Sequence, residues 1–565
     1  MTVARRKWTA IAGIVAGAVA LGVSQLAAAP VRPSAAPVVA VGDAVVDITP
    51  APVKNAAIAT LGPLDKPALL IGILVLLVLA AAEIGVLTAR RRAYGVAGMA
   101  LFAAIGVAAA VTRPDAGAAD ALPTLLGAAA GLITLLKLTR LAAPVDAAED
   151  AARDTAHGAD RDAERGVAPD AAQGVALDTE RGDASDVDLD GESARRSDGG
   201  AAEPEPVEDA ALDRRRLIKG VAVGVGVAGV AYVGGRFLGS GPDVSAARAT
   251  LKIPPPARPA APLPAGTDLN IRGLAPFVTP NKDFYRVDTA LILPDVSPRD
   301  WKLRIHGLVD RPLELTFADL LKRPLREADV TLACVSNEVG GSYIGNARWL
   351  GAYLPDLLRE AGIRSGADML LTTSQDGWTC GTPVDVVMDG REALLAVAMN
   401  GVPLPVEHGF PARQVVPGLY GYVSATKWIT DIKVTRFAVD QAYWTSRGWS
   451  AQGPIKTQSR IDVPRDGANV RAGKVTIAGV AWAQHRGIER VEVRIDDAPW
   501  RTAELAAVPG PDTWRQWSLP WDASKGDHRI VVRATDRTGE TQTALPAPPE
   551  PNGATGWPTI RVTVD

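Results

Sequence analysis

Cysteine and histidine are scarce in this chain, two and five among 565 residues. There is no CxxC, no HExxH and no cluster of histidines with carboxylates, which excludes zinc and iron–sulfur centres built from side chains alone. CxxCH is also missing, and the histidines, at positions 157, 306, 408, 485 and 528, lie outside every long apolar run. A haem held by paired histidines inside a membrane is thereby excluded. Aromatic residues amount to 5% and almost vanish from residues 144–213, where 21 acidic side chains face 6 basic ones. Such a stretch cannot bury a core. The net charge of −3 marks no basic surface, and no nucleic-acid partner is expected.

What the chain does have is apolar length. A membrane span needs about 20 predominantly apolar residues, and five segments qualify, roughly 9–29, 67–88, 93–112, 121–141 and 217–238. The first precedes AAAP and reads either as an uncleaved span or as a cleaved signal peptide. Lys and Arg stay on the cytoplasmic side. Arg5, Arg6 and Lys7, then Arg90, Arg91 and Arg92, then Lys137 and Arg140, then Arg214, Arg215 and Arg216 all fall on one side if the N-terminus is inside. The expected order is four transmembrane helices in 1–142, an acidic disordered cytoplasmic linker in 143–213 and a fifth helix in 214–240, with the remainder delivered outside. DRRRLIKG, residues 213–220, also resembles a twin-arginine export signal, a route that carries folded proteins with cofactors already inserted.

KIPPPARPAAPLPAG lies within a Pro-rich segment, 241–267, expected as an extended flexible tether. Beyond it strands and helices interleave. WKLRIHGLV and DMLLTTS alternate as strands, while LTFADLLKR and LPDLLREAGI carry helical apolar spacing. From about 450 onward KVTIAGVAWA, IERVEVRID, WRQWSLPW, HRIVVRATD and TIRVTVD read as the short strands of an antiparallel sandwich. The fold class is thus a membrane-anchored α+β protein with a C-terminal β-sandwich.

The two cysteines admit two readings. Outside the cytoplasm a cysteine pair usually forms a disulfide, and Cys334 with Cys380 would close a loop of about 45 residues. Alternatively the two stay unbridged, Cys334 at the point where a strand gives way to CVSNEVGG and Cys380 as a small buried hydrophobe.

TLACVSNEVGGSYIGNARWLGAYLPDLL, with TPNKDFYRVDTALILPDVSPRDWKLRIHGLVDRP before it and AMNGVPLPVEHGFPARQVVPGLYGYVSATKW after it, resembles the molybdopterin domain of the sulfite oxidase family. The resemblance covers 268–440, and 441–565 is similar to the family's immunoglobulin-like dimerisation domain. It implies a molybdenum cofactor with a single pterin. Cys334 would be the metal ligand and catalytic residue, a soft thiolate suited to that metal. Arg413, Lys427 and the backbone around Ser424 would take the pterin phosphate, and Asn281, Tyr285, His408 and Thr373 would line the cofactor. It also implies a homodimer and, with no second redox centre in the chain, a separate electron-transfer partner such as a cytochrome or a quinone-linked membrane protein. Two positions depart from the pattern. Glu338 and glycines stand where the family places a substrate-binding arginine, and Trp378 falls near the place of a tyrosine. The expected function is oxygen-atom transfer on a small sulfur- or nitrogen-containing substrate or a sulfoxide. The alternative is a non-catalytic membrane-tethered scaffold of the same fold with its two cysteines bridged.

Overall fold

The structure, a computed structural model, describes residues 3–32, 35–49, 53, 65–113, 116–142, 208–239, 244–290 and 292–565. The acidic linker therefore lies outside the described residues up to position 207. The chain forms two compact units, one of N-terminal helices and one that takes in Thr112–Gly117 and Ser240–Asp565.

The first unit contains α1 (Val3–Ala28), α2 (Pro37–Ile48), α3 (Asp65–Arg90), α4 (Arg92–Val111), α5 (Ala121–Leu141) and α6 (Glu208–Gly239). Five of these are long and apolar enough to cross a membrane by length and composition, and they coincide with the five expected spans. The 12-residue α2 is an addition, apolar but too short to cross. Helices in an apolar solvent associate through close backbone approach at small residues. Gly13 of α1 lies against Ala81 and Gly85 of α3, and Gly22 against Ala228 of α6, so that a methyl at either glycine would collide with a backbone carbonyl. DRRRLIKG lies inside α6, which starts before it and packs into the bundle along α1.

The second unit opens with α7 (Val244–Thr250). Residues 252–266 are extended as expected, yet they are fastened to the surface and not free. Arg248 donates to the carbonyls of Leu404 and Pro403 at 2.7 and 2.8 Å, Ala257 N to Leu325 O at 2.8 Å, and Ala507 N to Gly266 O at 3.2 Å. Proline removes donors and favours an extended backbone, so the segment lies along the sheet edge using the few N–H groups it retains.

A first lobe follows, with strands β1 (Lys302–Gly307), β2 (Leu313–Thr316), β3 (Leu325–Ala333), β4 (Ile344–Tyr353), β5 (Met369–Ser374), β6 (Thr379–Pro383), β7 (Leu394–Met399), β8 (Val402–Pro403), β9 (Arg413–Val415) and β10 (Ile429–Thr435). They form two sheets, ordered β2-β1-β10-β5-β6 and β3-β4-β7-β8, with β9 paired to β7. Between them sit α8 (Phe317–Leu321), started by a Thr316–Asp319 capping box, α9 (Leu354–Ala361), stopped by Gly362 at φ 72°, and α10 (Val384–Met388). A second lobe carries β11 (Gln458–Val463), β12 (Ala468–Val470), β13 (Gly473–Trp482), β14 (Ile488–Ile495), β15 (Arg501–Thr502), β16 (Glu504–Leu505), β17 (Arg515–Ala523), β18 (Gly526–Asp536) and β19 (Thr559–Val564). Its sheets, β11-β13-β17-β16 and β12-β19-β18-β14-β15, share one apolar core that includes Ile477 and Trp517 from the first and Val491 and Val532 from the second.

Three large buried indoles join these layers, and these three spend their N–H groups on backbone carbonyls. Trp301 donates to Ile429 O at 2.8 Å, Trp428 to Val406 O at 2.8 Å and Trp514 to Phe277 O at 2.9 Å. Trp514 ties the second lobe to β3, because its own N–H donates to Thr331 Oγ1 at 2.8 Å while Thr331 N donates to Asp512 O at 2.9 Å. Trp514→Ala is expected to destabilise this unit by about 3–5 kcal/mol, read as a lowered thermal midpoint of the detergent-solubilised chain. An unchanged midpoint would show that the two lobes unfold independently.

Candidate cofactor site

Cys334 is the first residue past β3. Its N–H donates to Tyr343 O at 2.9 Å, and its carbonyl accepts from Asn337 N at 3.2 Å. Asn337 Oδ1 accepts from Tyr343 N at 2.8 Å, which closes a tight loop around the sulfur. Burial pushes the thiol pKa up, opposed by hydrogen bonds from Ser336. Cys380 lies fully buried on β6, its Sγ 3.6 Å from Thr382 Oγ1. Both cysteines are free thiols, so the bridged reading does not hold.

The expected ligand residues converge from three segments. On the 281–288 strand of chain, Asn281 accepts at Oδ1 from Asn400 Nδ2 at 2.7 Å. Tyr285 stacks on Phe284 with ring centroids 5.3 Å apart, and Phe284 meets the His408 ring edge-on at 5.5 Å. The Tyr285 phenol is buried and feels both the Cys334 sulfur and the Arg413 guanidinium; burial, the larger cause, keeps it protonated. The HGFPAR block supplies His408, whose Nε2 lies 3.0 Å from Asn281 O. A carbonyl only accepts, so Nε2 carries the proton. Burial, aided by Arg413, lowers the His408 pKa to about 4, and the ring is neutral at physiological pH.

Arg413, on β9, is 5% exposed. It donates to His408 O at 3.1 Å and Ala425 O at 3.3 Å, and its guanidinium lies 5.0 Å from the Trp349 ring centroid. Among the described residues no carboxylate pairs with it. Burial lowers its pKa to about 10. Lys427 is mostly buried, its side chain 11% exposed, with Nζ 2.8 Å from Asp288 Oδ2 and 3.2 Å from Glu407 O. Burial lowers the Lys427 pKa to about 8, against the opposing pull of Asp288.

Two expected contributors are placed differently. The Ser424 hydroxyl is buried and turned into its own loop, donating toward Tyr420 O at 3.0 Å and Leu419 O at 3.1 Å. Thr373 sits on the opposite face of β5 from the fully buried Thr372 and is not brought to the cluster; its carbonyl accepts from Thr430 Oγ1 at 3.4 Å. Trp378 packs against the core at the β5–β6 turn, and Glu338 is exposed. Sequence reasoning missed Asp288, the counter-charge of Lys427, and Tyr420, whose phenol feels Cys334 and is pushed up to about 12 by burial. The only signal for Asp288 is its position at the end of the NKDFYRVD block that also supplies Asn281 and Tyr285.

Residues 290–444 match the oxidoreductase molybdopterin binding domain, and residues 450–547 the Mo-co oxidoreductase dimerisation domain. The sulfite oxidase of Arabidopsis thaliana is 30% identical over 327 residues, 47% of this chain and 82% of that protein. The chain belongs to the sulfite oxidase family. The mitochondrial sulfite oxidase of Mus musculus is 33% identical over 321 residues, 48% of this family member, which spans 58% of the mouse protein's length. The crystal structure of the sulfane dehydrogenase SoxCD from Paracoccus pantotrophus superimposes with a TM-score of 0.44 at 26% identity, covering 50% of this chain and 80% of that one.

Among the described residues no three His, Cys, Asp or Glu side chains gather to hold a metal. A metal at Cys334 would need ligands beyond protein side chains. A sulfur-rich organic cofactor with an anionic tail fits a site of one soft thiol and two buried cations, one lacking a counter-ion.

An ammonium whose pKa falls on folding leaves the folded chain with fewer protons than the unfolded one between about pH 8 and the ordinary 10.5. The stability of the cofactor-free protein therefore rises with pH across that window. Asp288→Asn removes the anion that favours the charged form, so the titration moves to lower pH. Amine labelling of Lys427 against pH, read by mass spectrometry, measures this; an unmoved midpoint would show that Asp288 does not set its charge.

Proposed function

We propose that this chain is a membrane-anchored molybdopterin oxidoreductase that transfers an oxygen atom to or from a small sulfur- or nitrogen-containing substrate on the extracytoplasmic face. The observation that carries the reading is Arg413, buried at 5% exposure without a carboxylate partner while its neighbours supply only carbonyl oxygens. A guanidinium so placed is stabilised when an anion arrives. A pterin phosphate is such an anion, and Lys427 stands ready as its second cation.

The bound metal supplies the two-electron exchange of oxygen. The chain holds and shapes the surroundings. Cys334 ligates, Arg413 and Lys427 clamp the phosphate, and neutral His408 keeps its Nε2–H on Asn281 and so leaves Nδ1 as an acceptor. Tyr285, kept a neutral phenol by burial, offers a proton donor beside the sulfur. The exposed Glu338, four residues after Cys334 and in place of a cation, disfavours an anionic substrate.

The cationic clusters on one side of all five candidate spans support an extracytoplasmic lobe, as does the likeness of DRRRLIKG to an export signal. The two sheets of the second lobe support an immunoglobulin-like sandwich, and the dimerisation-domain match supports a homodimer. Electrons pass to a separate cytochrome or quinone-linked protein, since the sequence carries no haem-attachment motif.

The test is molybdenum and pterin content of the full chain purified from a cofactor-producing host. Wild-type protein is expected to hold both. Cys334→Ser should lose or alter the sulfur-to-metal charge-transfer absorption, and Arg413→Gln should retain roughly tenfold less pterin, the scale of a lost charge-assisted hydrogen bond. Well-folded wild-type protein with neither metal nor pterin, beside a loaded control from the same host, would overturn the reading.

A further inference from the structure

A second guanidinium without a carboxylate partner lies in the second lobe, away from the cluster around Arg413. Arg494, on β14, makes no hydrogen bond or ion pair among the described residues, and its Nε is buried. Its guanidinium carbon lies 4.9 Å from the Trp500 ring centroid and 5.8 Å from that of Trp557, two indoles packed edge to face at 5.1 Å. Arg533 touches the same pair, at 4.3 and 5.7 Å, but its Nε lies 2.9 Å from Glu492 Oε2. Arg490 approaches that same oxygen at 3.6 Å. Glu492 is already shared, and Arg494 is left over.

Arg494 borders a cavity of about 300 Å³ whose wall includes Arg529, Trp557, Thr559, Gly556 and Val339. The Arg529 backbone N–H donates to Asp496 Oδ1 at 2.8 Å, but its guanidinium bonds only Asp497, at 3.0 Å, and that carboxylate is 96% exposed, so the pairing is weak. Two guanidinium groups therefore line one small space, with indole rings packed against the first. The Trp557 N–H is spent on Gln542 O at 2.7 Å, which fixes that ring. A guanidinium fork takes two oxygens of one anion side by side, and donors restrained by packing lose little freedom when they bind.

We infer that this cavity binds a small oxyanion of sulfate, phosphate or carboxylate type. The site is separate from the cofactor cluster but touches its loop. Val339 lies five positions after Cys334, and Gly340 and Gly556 sit against Pro558 and Val339 respectively. An anion in the cavity would brace the segment that follows the cysteine.

The experiment is a thermal-shift titration of the full, detergent-solubilised chain with sodium sulfate, against sodium chloride of equal ionic strength. Wild-type protein is expected to show a saturable rise in midpoint with sulfate. Arg494→Gln should require roughly ten- to a hundredfold more sulfate for the same shift. Arg494→Lys keeps the charge without the fork, and reports on the site should the glutamine variant fold poorly. Arg413→Gln should keep the response, which separates this cavity from the cofactor site. A response unchanged in both Arg494 variants, or lost in Arg413→Gln and kept in Arg494→Gln, would overturn the inference. So would Arg494→Gln shifting the monomer–dimer balance in light scattering while sulfate acts no differently from chloride, because a second copy would then be the occupant.

Discussion

The site depends on one unbalanced charge. Arg413 is pinned by carbonyls from two sides, His408 before it and Ala425 after it, so a single side chain draws the HGFPAR turn and the YVSATK loop into one wall. Carbonyls satisfy the guanidinium's donors without neutralising it, and desolvating an unneutralised cation is expensive. Other parts of the local structure follow from that constraint. His408 stays neutral beside it, Tyr285 feels it across the pocket, and the nearby Lys427 has a carboxylate of its own in Asp288. A folded protein tolerates such an imbalance where a ligand removes it. The cost of the empty state is thus a measure of selectivity for the filled one.

Much of this architecture was legible in the sequence because its signals are periodic. Apolar runs revealed the five long helices, and alternation revealed β1 and β5, since burial of one face imposes those spacings directly. Composition misled where it reports conformation and not attachment. The Pro-rich segment is extended, as proline requires, but its fastening to β3 and to the second lobe depends on distant carbonyls that no local pattern announces. Twelve-residue α2 escaped because a short apolar helix with proline at its start resembles a connector.

The site was legible to the level of blocks and less so to the level of atoms. Asn281, Tyr285, His408, Arg413 and Lys427 lie near one another because each belongs to a block whose residues travel together. Thr373 and Ser424 show the limit. Strand phase decides whether position 372 or 373 points inward, and a loop serine can bond its own backbone as readily as a ligand. Asp288 went unnoticed since a carboxylate in an irregular segment reads as solvated surface until the fold brings a buried lysine to it.

Thr331 shows how far the two lobes are one object. Its N–H, carbonyl and hydroxyl all meet groups of the second lobe, Asp512, Gln484 and Trp514 respectively, and it lies three residues before Cys334. The two regions match separate family models, yet the strand that delivers the metal-ligand candidate is completed by its neighbour. Modularity in sequence need not mean modularity in assembly. A gene fusion or truncation that exchanged the C-terminal half would also remove hydrogen-bond partners from the root of the cysteine loop.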